Sequence, residues 1–305
     1  MKKQKALLSN GLWFNSEAEQ AVAFYQSVFP DSAVYETMYY GKEGFEMHQK
    51  PEGSVLAINF QLFGTQFQAI NGGPVFQINP SVSYFIICDN ADEANRYWDA
   101  LKPKGKVLMD IDSYPWSERY GWVEDQFGLS WQIFTGTPNS GKQKICPSLL
   151  FVGAQQGHAE EAMHFYTSVF PDSQIEMIQK YPEGGEDPAD TVMYGEFRLA
   201  GQVFTATDSA QEHAFQFNEG VSFIVNCSTQ AEIDYYWDRL LVGGKESECG
   251  WLKDRFGMSW QVVPEQLDRM LADPDKAKVE RVTKACMKMR KFDLAQLEQA
   301  FNSTL

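Results

Sequence analysis

The chain has 305 residues, 44% of them hydrophobic, which is enough for two ordinary domains with separate cores. Its 26 basic and 41 acidic residues give a formal net charge of −15, which excludes a duplex-binding face, because attraction to phosphate needs a basic surface. Anionic membrane surfaces are excluded for the same reason, and no apolar run approaches the roughly 20 residues of a membrane helix.

The opening "MKKQKALLSNGLWFN" has lysines but neither an apolar core nor a small-residue cleavage site, so no export signal is expected. A strand is predicted in "ALLSNGLWF", then a helix over 16–29. Ala18, Ala21, Val22, Tyr25, Val28 and Phe29 share one face of that helix, and the Phe-Pro after it ends it. Strands follow at "AVYETMYY", "SVLAINFQLF" and "TQFQAI". A second unit opens with the strand "VSYFIIC" and the helix "DEANRYWDAL". It closes with strands around "KVLMDI", "GWVEDQF" and "LSWQIF". The pattern is βαβββ twice by residue 136.

The polar stretch "GTPNSGKQK" leads into a linker at 137–145, after which the same text returns. "FYQSVFPDS" (24–32) recurs as "FYTSVFPDS" (165–173), "YWDAL" as "YWDRL", and "GWVEDQFGLSWQ" as "GWLKDRFGMSWQ". Ordered matches of this kind mark a tandem of two related domains, 1–136 and 146–265. The first copy carries the longer stretch "KPKGKVLMDIDSYPWSERY" after its second helix. Residues 266–305 form a helical tail. Pro274 behind Asp273 is expected to start one helix, with Val279, Val282, Cys286 and Met289 as its stripe. Asp293 caps a shorter one with Leu294, Leu297 and Phe301 inward. The tail is expected to dock on the second domain.

Candidate chemistry is sparse. The cysteines Cys88, Cys146, Cys227, Cys249 and Cys286 form no CxxC pair, which favours reduced thiols and a cytoplasmic location. Cys88 and Cys227 end matching strands and read as small buried hydrophobes. Trp122, Trp131, Trp251 and Trp260 recur regularly and read as core between helix and sheet, with a stacking wall for a ligand as the alternative, and Asp125 and Asp254 read as turn residues bonded to local backbone. Strand alternation in "SWQIF" sends Gln132 into a cleft if Trp131 packs beneath a helix. There is no G-x-G-x-x-G, so no dinucleotide-type cofactor turn, and none of the histidines His48, His158, His164 and His213 has partners at ligand spacing. No cofactor is expected, and no catalytic residue can be singled out.

The paired βαβββ units, "FY…VFPDS" after the first helix of each repeat and "D-x-FG-x-SWQ" on the last strands resemble the vicinal oxygen chelate superfamily of glyoxalase I, extradiol dioxygenases and bleomycin-resistance proteins. More narrowly the chain is similar to the PhnB-like family often labelled 3-demethylubiquinone-9 3-methyltransferase. The resemblance covers both domains and the tail. It implies an α+β fold in which the eight strands of each domain curl into a cleft, where the metalloenzymes hold a divalent ion with His and Glu. Carried onto this sequence, those positions hold Asn10 or a neighbour, Gln68, Ser83 and Gln132 in the first copy. In the second they hold Phe151, Thr205, Ser222 and Gln261.

Neutral amides and hydroxyls are poor ligands for such ions, so no metal is expected. The expectation is a metal-free site for a small-molecule ligand in the first domain, lined by Asn10, Gln68, Ser83 and Gln132, with Thr205, Ser222 and Gln261 as the second copy's set. Two alternatives stand beside it: an enzyme of the superfamily, including the labelled methyltransferase activity, and a structural fused pair whose tail meets a partner. The halves are expected to pair within the chain as a pseudo-dimer. A homo-oligomer is allowed, whereas nucleic acid and membrane partners are not expected.

Overall fold

The computed structural model describes residues 5–136 and 143–303, so the part of the linker at 137–142 lies outside the described residues. The first repeat gives β1 (Leu8–Phe14), α1 (Ala18–Val28), β2 (Ser32–Tyr39), a short α2 (Phe45–His48), β3 (Val55–Leu62) and β4 (Thr65–Asn71). Its second unit is β5 (Val82–Cys88), α3 (Ala91–Leu101), β6 (Lys106–Tyr114), β7 (Ser117–Glu124) and β8 (Ser130–Thr135). The second repeat gives β9 (Ile145–Phe151), α4 (Ala159–Val169), β10 (Gln174–Lys180), β11 (Val192–Leu199) and β12 (Gln202–Asp208). It continues with β13 (Val221–Cys227), α5 (Gln230–Leu240), β14 (Lys245–Glu246), β15 (Trp251–Lys253) and β16 (Ser259–Pro264). The tail forms α6 (Gln266–Leu271), α7 (Lys276–Cys286) and α8 (Leu294–Asn302). None of the described helices is long and apolar enough to cross a membrane.

The α+β class and the paired βαβββ units are as expected. Which units pair is not. The first sheet runs β14-β15-β16-β13-β1-β4-β3-β2 and the second β10-β11-β12-β9-β5-β8-β7-β6. Each sheet therefore takes one βαβββ unit from each repeat. The junctions are antiparallel, with Leu8↔Val225 to Leu12↔Val221 in the first sheet and Val82↔Leu149 to Ile86↔Ile145 in the second. Two compact units result. One is built from the chain up to Ser27, from Asp31–Gln77 and from Asn218 onward, the other from Val28–Pro30 and Ile78–Phe217.

Local rules explain the helices. Asn90 caps α3 by accepting the Glu93 N–H at 2.9 Å, while Glu93 Oε2 accepts the Asp89 N–H at 2.7 Å. Thr229 and Glu232 repeat this reciprocal cap on α5. For α1 the acceptor comes from a strand instead, the Asn71 side-chain oxygen meeting the Ala18 N–H at 2.9 Å. The face of α1 buries Tyr25 against Phe60, and Phe29, just past the end of that helix, packs 5.2 Å from Trp131.

The first copy's longer stretch builds the β6–β7 hairpin, whereas β14 and β15 are short. There the tail takes over: the Cys249 and Gly250 N–H groups donate to the carbonyls of Met289 and Arg290 at 2.8 and 2.7 Å. Leu267, Met270, Val282, Cys286, Met289, Phe292 and Leu297 close a small core, with Cys249 and Val263 packed against it. Asp293 caps α8 as expected, its side chain accepting the Gln296 N–H. The cap of α7 is Asp275 rather than Asp273. Asp275 accepts the Ala277 N–H, and Asp273 instead turns back to the Asp275 N–H, so Pro274 precedes the helix.

Candidate ligand-binding cleft

In the first sheet, Leu8, Asn10 and Leu12 of β1 share the helix-covered face, and Ser9, Gly11 and Trp13 share the other. Asn10 aligns with Phe67 and Phe223, which pack on Phe60 and Trp260, and its amide donates to the Gln66 carbonyl at 2.9 Å. The expectation that Asn10 lines the cleft is thus off by one residue, and its neighbour Ser9 lines it instead. Gly11 stands where a side chain cannot fit. A Cβ there would come within 2.5 Å of Ser222 Oγ and 2.7 Å of Gln261 Nε2, which are themselves joined by a 3.0 Å hydrogen bond.

A cavity of about 420 Å³ lies in this unit. Met38, Ile70, Ile224, Val263 and Leu271 give it apolar walls, and Trp13, Tyr40 and Trp251 give it aromatic ones. Trp13 and Trp251 meet edge to face at 5.9 Å. Gln68 and Gln261 both line it. One polar line crosses it: Gln68 Nε2 donates to Asn59 Oδ1 at 2.9 Å, and Asn59 Nδ2 donates to Asp268 Oδ2 at 2.7 Å and to Glu36 Oε2 at 3.1 Å. The Lys5 ammonium closes the line on Asp268. Asp268 is buried. Burial, then the charges of Asp268 and Glu36, raise the Tyr35 hydroxyl above its ordinary pKa. Sequence reasoning missed Asn59 and Asp268. Alternation along β3 could have found Asn59. Asp268 sits on a one-and-a-half-turn helix with no motif around it.

The second sheet holds the other expected residues. Gln132 Nε2 donates to Ser83 Oγ at 2.8 Å and to Ser148 Oγ at 3.4 Å, while Tyr120 donates to Gln132 Oε1 at 2.6 Å. Both ends of this amide are therefore engaged within the protein. Thr205 aligns with Ser148 and with the buried Glu196, and its hydroxyl is buried with no hydrogen-bond partner. Phe151 is core, packed on Phe217 at 5.1 Å, so the residue of β9 beside Thr205 and Ser83 is Ser148. Asn10, Gln68, Ser83 and Gln132 accordingly do not converge on one cavity. Gln68 sits with Gln261 and Ser222 in the first sheet, and Ser83 with Gln132 and Thr205 in the second.

The repeated tryptophans under the helices are core: Trp131 and Trp260 are buried and donate to Asp125 and Asp254 at 2.9 and 2.8 Å. Trp122 donates to Ser130 at 2.7 Å. Its counterpart Trp251 lines the cavity, and the matching Ser259 hydroxyl is buried without a partner. Burial pushes the thiols of Cys88 and Cys227 up to about 12, which leaves them protonated and unreactive. A divalent ion does not fit the positions that would hold it. In the first sheet these are Gly11, Gln68, Ser222 and Gln261, a neutral set without a carboxylate or an imidazole. Among the described residues, no group of three or more His, Cys, Asp or Glu is placed to hold one.

A family model described as 3-demethylubiquinone-9 3-methyltransferase matches residues 6–134 and again 143–263. Among solved structures, a PhnB protein of Bacillus cereus bearing the same label is 31% identical over 44% of this chain and 100% of its own, with a TM-score of 0.39. Glyoxalase I of Zea mays is 11% identical over 87% of this chain and 94% of its own, with a TM-score of 0.56, a likeness of fold. None of the curated proteins matches.

Proposed function

The chain belongs to the 3-demethylubiquinone-9 3-methyltransferase family, and within it we propose that this protein binds a small, largely apolar organic molecule, without a metal ion, in the cavity of the first sheet. The observation that carries this reading is the cavity of about 420 Å³ itself, with aliphatic and aromatic walls crossed by the polar line of Gln68, Asn59 and Asp268. Sites for small organic ligands have that size and make-up. The metal-free part rests on the donor set, in which Gly11 contributes nothing and Gln68, Ser222 and Gln261 offer only neutral amide and hydroxyl oxygens. The second sheet's amide, Gln132, is satisfied internally and is read as structural. Five unbridged cysteines suit a reducing compartment, which supports placing the protein in the cytoplasm.

The test is to fill the cavity. Ile70 lies on its wall and outside the polar line, so Ile70→Trp adds volume there without removing a hydrogen bond. Hits from a small-molecule screen, followed by quenching of tryptophan fluorescence, should disappear in the variant while its melting temperature stays close to wild type. Hits that survive the filling would place binding elsewhere and sink the reading.

A further inference from the structure

The polar line of the cavity runs into carboxylates. Asp268 and Glu36 converge on one amide nitrogen of Asn59, at 2.7 and 3.1 Å, and Glu43 lines the same space. An ammonium already sits there: Lys5 Nζ is held on Asp268 Oδ2, with the Lys5 side chain only 20% exposed. The same cavity is lined by aromatic side chains, Trp13, Tyr35, Tyr39, Tyr40 and Trp251. Ring faces attract cations, and the attraction grows as water is excluded.

We propose that the ligand of this cavity is an organic cation, a protonated or quaternary amine with an apolar body, whose nitrogen takes the place of the Lys5 ammonium at Asp268. The inference rests on the binding reading above. An acidic ligand would face Asp268 and Glu43, with Glu36 behind Asn59, and is disfavoured. A neutral one would have to leave the Lys5–Asp268 pair intact and would gain nothing from the charge there. A cation gains both: its body covers the walls, its charge replaces one ammonium by another at Asp268, and the long Lys5 stem can release its head to water.

Calorimetry at neutral pH with tryptamine, tryptophol and indole-3-propionate, and with dodecylamine against dodecanol, decides the matter. Each amine should bind about tenfold tighter than its neutral counterpart, and the carboxylate should bind worst. Asp268→Asn should bring amine and alcohol to within about threefold of each other. Lys5→Met, which removes the competing ammonium and keeps the stem, should tighten amine binding several-fold. That variant decides alone if Asp268→Asn fails to fold. Equal binding of amine and alcohol, preference for the carboxylate, or amine affinity unchanged or weakened by Lys5→Met would overturn the cation inference while leaving the cavity reading standing. Failure of every probe to bind, of whatever charge, would overturn the cavity reading with it.

Discussion

At the scale of single residues, the repeated D-x-FG-x-SWQ motif is a fastening rather than a reactive centre. Asp125 Oδ1 accepts the N–H groups of Phe127 and Leu129, and its Oδ2 accepts the Trp131 indole N–H. Asp254 does the same for Phe256, Met258 and Trp260. Two buried donors and one part-buried donor lose their partner if the Asp125 carboxylate goes. Asp125→Ala should therefore cost about 2–4 kcal/mol in urea unfolding, with ligand binding in the first sheet unchanged. A loss below about 0.5 kcal/mol would mean that the motif does not hold the turn. Asp208 plays a related part, accepting the N–H groups of Gly157, Ala159 and Val192, where the first repeat uses Asn71. Burial raises its pKa, and the hydrogen bonds oppose that only in part. A raised carboxylate adds stability that is complete below the unfolded value of about 3.9 and is lost as pH rises through the folded value. Relative to Asp208→Asn, the wild type should lose stability as pH climbs from about 4 through that raised value. Parallel stability curves for the two proteins would refute the assignment.

At the scale of elements, the tail is part of the fold of one unit. Leu297 of α8 is fully buried in a cluster with Val282, Cys286 and Phe292, and the segment before α8 completes the edge left short by β14 and β15. Leu297→Ala should cost about 2–5 kcal/mol and lower the melting temperature of the full chain. A melting point unchanged by the substitution would mean that the tail packs loosely. The tail was legible as helices because caps and apolar spacing are local signals. Its contribution to the cleft was not, because Asp268 meets Lys5 and Asn59 only through the fold. Strand faces were legible wherever an anchor fixed the alternation: Trp131 under its helix sent Gln132 to the other side. On β1 no such anchor stands out, and the expectation for Asn10 is off by a single residue.

At the scale of the whole chain, the pairing of units across repeats could not be read from the repeat. β5 and β13 offer β1 almost the same edge, Val82-Ser83 against Val221-Ser222, so the alternation is satisfied by either partner. What separates them is which arrangement the intact chain adopts, and cutting the chain probes that directly. Residues 1–136 expressed alone keep β1 and β5 but lose their antiparallel partners β13 and β9, leaving two half-sheets with open central edges. Open edges recruit other chains. The fragment should run as a dimer by light scattering, each β1 pairing with the other copy's β5. Mixed with residues 143–305, it should form a one-to-one complex that recovers most of the intact protein's thermal transition. The covalent link holds the two repeats at an effective concentration near the millimolar range, so the mixture should melt below the intact chain and approach it as concentration rises. A fragment that is monomeric, cooperatively folded and indifferent to its complement would show that each repeat can close its own sheet, and the cross-repeat pairing would then not be what the sequence requires.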